Sequence, residues 1–187
     1  MKYLLTLFML CISSIGFAQI IIVNDNSDVA SAYGPEQLIN EVLISSVCST
    51  ADNFTFQVNG APTNVTKKSY GYFKTPAGNT FPFEEGVVLT TGVAFSAGNT
   101  VSPDTIDFTN TLPGDQDLET ALGQTGTQDA TFIKFNFTPQ IDTISFRFLM
   151  ASEEYDGSTE CQFADSFAFL LREVGTVDFT NLAVLPD

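Results

Sequence analysis

The 187-residue chain contains no histidine and no tryptophan. Without an imidazole, the Ser-His-Asp and Cys-His devices of nucleophilic catalysis are excluded, together with ordinary catalytic zinc sites. Positive charge is scarce: seven Lys and Arg face 22 Asp and Glu, for a formal net charge of −15. Nucleic acid and anionic membrane surfaces repel such a chain, so neither is expected as a partner. The same acidity suits divalent cations, and it also suits plain solubility outside a cell. Cysteine is sparse too, at Cys11, Cys48 and Cys161. Beyond the first 18 residues no apolar run approaches the roughly 20 residues that a spanning helix needs. No transmembrane segment is expected in the mature chain.

The first 18 residues read as an export signal. Lys2 supplies the positive start, an almost unbroken apolar run follows from Tyr3 to Ile15, and Gly16-Phe17-Ala18 is a small-x-small cleavage site. Cleavage after Ala18 leaves 19–187 as one domain, long enough for a proper core. The signal carries Lys2 and no acids, so the mature chain holds six basic groups and a net charge of −16. Cys48 and Cys161 survive cleavage, and export permits a disulfide between them. Two buried free thiols are the alternative.

Hydrophobic periodicity points to strands. Residues 31–46 are the exception and read as an amphipathic helix. Gly34 serves as N-cap, Pro35 suits the first helical position, and Glu36 suits the positive helix end. Leu38, Ile39, Val42 and Leu43 then form a stripe expected to pack on a sheet. Short strands are expected at 20–23, 54–58, around Gly71-Tyr72-Phe73, at 87–91 and at 181–185. Ile133, Phe135 and Phe137 alternate with Lys134, Asn136 and Thr138, as do Ile144, Phe146, Phe148 and Met150, then Phe167, Phe169 and Leu171. Residues 94–126 read as a long loop with one helical turn near Leu118 to Leu122, and loops of that length are usually functional or mobile. The pair Lys67-Lys68 reads as a solvated turn. With 18 phenylalanines available, the expected fold is mainly β: a two-sheet, jelly-roll-like β-sandwich with one N-terminal helix packed on it.

Two acidic clusters carry the candidate chemistry. Glu153, Glu154, Asp156, Glu160 and Asp165 sit in the turn between two alternating runs. Asp115, Asp117 and Glu119 lie within the long loop. Crowded carboxylates repel unless something neutralises them, and calcium takes 6–8 oxygen ligands of this kind. Asp115, Asp117, Glu119, Glu153, Glu154, Asp156 and Asp165 are therefore the candidate calcium ligands. Neither cluster has the spacing of an EF-hand loop. A solvated acidic loop is the bland reading of each. A glycoside hydrolase is the enzymatic one, since retaining enzymes hold two carboxylates roughly 5–5.5 Å apart. Adjacent Glu153 and Glu154 would point to opposite faces of a strand, so only one could join a partner such as Asp156 or Asp165.

The ordered series GPEQLINEVL, FPFEEGVVLTTG, GDQDLE, DATFIKFNF, ISFRFLMASEEY, DSFAFLL and NLAVLPD resembles the choice-of-anchor L domain of secreted and surface proteins of Bacteroidetes and other bacteria. MASEEY followed by DSFAF is the most specific element. The resemblance implies a non-catalytic, adhesion-type domain at the cell surface, within a larger protein bearing an anchor or a type IX secretion signal. Its partner would be an extracellular protein or polysaccharide, and no catalytic residues carry over. Members of the family continue past NLAVLPD with further strands, so a C-terminally truncated domain is expected. A purely structural spacer is the remaining alternative.

Overall fold

The computed structural model describes residues 21–44, 50–98, 108–140, 142, 145–152 and 165–184. The strands in chain order are β1 (Ile22–Val23), β2 (Thr50–Gln57), β3 (Tyr70–Lys74), β4 (Glu85–Leu89), β5 (Phe132–Thr138), β6 (Leu170–Leu171) and β7 (Thr180–Asn181). The short α-helices are α1 (Pro35–Leu38) and α2 (Gln116–Leu122). Among the described residues all the strand pairs are antiparallel: β1-β3-β4 form one sheet, β2-β5 a second and β6-β7 a third. The fold is mainly β.

Local chemistry sets where α1 begins. Gly34 is its N-cap in an extended conformation (φ −78°, ψ 172°), Pro35 follows at the first helical position, and Glu36 lies in the first turn. Pro35 disfavours a helical Gly34 before it, so residues 31–33 stay out of the helix expected over 31–46. Ser31 and Ala32 belong instead to a separate 3₁₀ turn, Val29–Ala32, that ends at an extended Tyr33. Past Leu38 the helix widens to a π turn over Ile39–Leu43, closed by Ile44 N–H donating to the Ile39 carbonyl at 2.8 Å. Residues 45–46 lie outside the described residues.

The core forms where α1 meets the three-stranded sheet. Leu38, Tyr70 and Tyr72 are buried against Ala30, Tyr33, Val42, Val58 and Val87. Leu38 and Ile39 of the stripe are buried, whereas Leu43 is 39% exposed at the helix end. Burying one such aliphatic side chain contributes about 1.5–3 kcal/mol.

The β2-β5 pair is tied by backbone and rings. Its register runs from Thr50↔Thr138 to Gln57↔Phe132, with a bulge between Asp52 and Thr55 where Asn53 takes φ 51°. Phe54 packs on Phe135 at 5.8 Å between centroids. Rings then continue from Phe135 through Phe137 and Phe146 to Phe169, the last pair at 4.8 Å. Phe148 meets Phe167 at 5.4 Å.

The two alternating runs around the acidic turn therefore lie side by side, but they differ from the expected strands. Residues 145–150 join no ladder, and only Leu170–Leu171 of the second run does. The rings align the runs without the backbone bonds that define a strand. Phe148 and Met150 are consequently 46% and 41% exposed, although the alternation placed them on a covered face. Arg147 adds a tether: its guanidinium lies over the Phe83 ring at 4.7 Å and donates to the Pro82 carbonyl at 2.7 Å.

Candidate functional site

The acidic stretch 115–119, expected in a loop, is the N-cap and first turn of α2 and faces β5. Asp115 is the N-cap of α2, and its Oδ1 accepts from Leu118 N–H at 2.8 Å, filling one of the donors a helix start leaves open. The other oxygen, Oδ2, faces Lys134 of β5 at 2.9 Å, and Asp117 Oδ2 faces the same ammonium at 2.6 Å. Lys134 also lies over the Phe132 ring at 4.3 Å. Partial burial disfavours its charge, but Asp117 and Asp115 outweigh that and raise its pKa. Glu119 turns elsewhere, to the N–H and hydroxyl of Thr127 at 2.8 and 2.9 Å, and these bonds lower its pKa.

Of the three acids expected around one ion, two share a lysine and the third caps a turn. Lys134 thus supplies the neutralising charge that the sequence pattern asks for. Among the described residues no group of three or more Asp, Glu, Cys or His is placed to hold a metal ion. Glu153, Glu154, Asp156, Glu160, Cys48 and Cys161 lie outside the described residues, as does the export signal. Asp165 is described and partly buried.

A second polar cluster, which the sequence reading missed, lies inside the core. Asn24 is fully buried in the left-handed region (φ 52°) directly after β1. Its Nδ2 donates to the Tyr70 carbonyl at 3.1 Å, and its Oδ1 accepts from Tyr72 N–H at 3.1 Å. Its own N–H donates to the Tyr72 carbonyl at 2.9 Å. One asparagine therefore extends the β1-β3 ladder with side-chain groups. Asn110 closes another gap, donating to the Thr91 and Gly92 carbonyls and accepting from Asn59 Nδ2 at 2.8 Å.

Lys68 overturns the solvated-turn reading. Lys67 is exposed, but Lys68 is 0% exposed. Its Nζ donates to the Ser31 carbonyl at 2.6 Å and to the Tyr33 carbonyl at 3.4 Å, and it stands 4.6 Å from the Tyr70 ring centroid. Burial pushes the ammonium down to about 8. A signal was available: Lys68, Tyr70 and Tyr72 share one face at period two, so extending the core face back by one step reaches the lysine. Tyr72, on that face, donates to Glu85 Oε2 at 2.6 Å, and burial, then the Glu85 carboxylate, raise its pKa.

Short antiparallel ladders, acid-rich segments and a polar seam between a 3₁₀ turn and a sheet define a strand-dominated domain. The family model for the choice-of-anchor L domain matches residues 23–187, and the chain belongs to that family. The family implies an exported or cell-surface protein, and it is not a known enzyme family. No curated protein and no solved structure matches the chain. Among the described residues no helix is long and apolar enough to cross a membrane.

Proposed function

We propose that the chain is an exported, non-catalytic domain of adhesion type, presented at the cell surface as part of a larger protein that leaves by type IX secretion. The family match over residues 23–187 carries this reading, and the signal-like first 18 residues support it. In this reading the small ladders belong to two facing sheets of a sandwich. The ring series from Phe54 to Phe169, which links β2-β5 to β6, supports that arrangement. The partner is an extracellular protein or polysaccharide. Surface labelling of an epitope-tagged chain in a Bacteroidetes host tests the destination. The full chain should be labelled on intact cells and a chain lacking residues 1–18 should stay inside. Cytoplasmic retention of the full chain would sink the proposal.

Calcium is the second element of the reading. Because Lys134 already neutralises Asp115 and Asp117, the ion is assigned to Glu153, Glu154, Asp156 and Asp165. An ion bound only by the folded chain stabilises it by mass action. Millimolar calcium should therefore raise the melting temperature where sodium at matched ionic strength does not. The Asp117→Asn variant should keep that response, and its loss there would return the ion to α2.

A further inference from the structure

We propose that Lys68 is a pH-responsive latch, whose loss of a proton removes an unpaired buried charge and so stabilises the fold in which residues 29–33 sit against β3. The geometry carries the argument. The side chain is fully enclosed, and its amine reaches two carbonyls, those of Ser31 and Tyr33, from a position two residues ahead of β3. Its backbone is fixed on the other side, where the Lys68 carbonyl accepts from Ala94 N–H at 2.9 Å. Two carbonyls take two N–H bonds, which is what a neutral amine offers. The third proton of an ammonium has, among the described residues, only the face of Tyr70. Among the described residues no carboxylate lies within ion-pair distance of it; the ion pairs are Lys74–Asp28 and those of Lys134. A buried charge without a counter-ion is costly, and shedding the proton removes the cost.

The other ionisable groups on the surrounding elements are few. Asp28 heads the turn and is engaged by Lys74 at 2.6 Å. Glu36 lies on α1, and Lys67 is the exposed neighbour. Tyr33 meets the amine with its backbone carbonyl and Tyr70 with its ring face, and Glu85 of β4 is bonded to Tyr72. The Asn59-Gly60 turn and the Ala94–Ala97 turn contribute no ionisable group.

The direction follows from linkage. In the unfolded chain Lys68 holds its proton up to its ordinary value of 10.5, whereas in the fold it gives it up near 8. Between those values unfolding takes up a proton, so stability rises with pH. The folding equilibrium constant should grow by roughly tenfold per pH unit in the steepest part of that window.

Denaturation midpoints of the full chain between pH 7 and 9.5, at constant ionic strength, test the latch. The unsubstituted protein and Lys67→Met should grow more stable across this range, and Lys68→Met should be flat. A Lys68→Met profile parallel to that of the unsubstituted protein would overturn the proposal. If Lys68→Met does not fold, an NMR titration of the Lys68 side chain in the unsubstituted protein decides. Titration near 8 supports the latch, and titration at 10 or above ends it.

Discussion

Gly71 and Asn24 share a volume that neither could hold with a larger neighbour. A Cβ on Gly71 would overlap the Asn24 carboxamide, whose oxygen and nitrogen bond the strand on both sides of that glycine. Gly71→Ala must either expel the carboxamide or shift β3, and both losses fall in the core. The expected destabilisation is about 2–3 kcal/mol, combining overpacking with broken buried hydrogen bonds. Urea unfolding measures it, and a change below about 0.5 kcal/mol would contradict the packing. Asp115 is a milder case: Asp115→Ala removes a helix cap and should cost about 1 kcal/mol. Asp117→Ala, which leaves the cap in place, should cost less, because exposed ion pairs contribute about 0–1 kcal/mol.

The elements depend unequally on their side chains. Leu38 is completely buried between α1 and β3, whereas Leu43 ends the same stripe 39% exposed. Leu38→Ala should therefore destabilise by about 2–5 kcal/mol. Leu43→Ala should stay below about 1 kcal/mol, because much of its surface is already wet. Comparable losses from both variants would mean that the helix packs on a different face. The α1 start was legible because Gly34, Pro35 and Glu36 act within one turn of chain. The strands β3 and β5 were legible because alternation is local as well, whereas β4 runs Glu85–Leu89 and not 87–91: Gly86, expected to bound it, pairs inside the ladder opposite Phe73. What escaped is non-local. Lys134 reads as an outward residue of β5, and nothing near it in sequence says that Asp115 and Asp117 will meet it. Lys68 sits beside an exposed lysine of the same type, and its acceptors lie on a turn 35 and 37 residues earlier. The runs 144–150 and 167–171 alternate like strands, yet alternation reports which rings meet and not whether backbones pair.

Across the whole molecule, ionisation should shape stability into a dome. Lys68 makes stability rise with pH above about 8. Burial raises the pKa of Tyr70, and burial together with Glu85 raises that of Tyr72. Unfolded tyrosine loses its proton near about pH 10, so the stabilisation held by these phenols is complete below that value. It is lost as the pH climbs toward their folded values. Urea midpoints from pH 7 to 11 should thus peak at about pH 10 and then fall. Tyr72→Phe should soften the fall without flattening the rise. A peak near neutrality would show that neither group governs the profile.

β3 is the middle strand of its sheet, bonded to β4 along one edge and, along the other, to β1 and the Asn24 carboxamide. No edge of it can fray by itself. In heavy water, its amides should be the last to take up deuterium, giving way only when the entire domain opens.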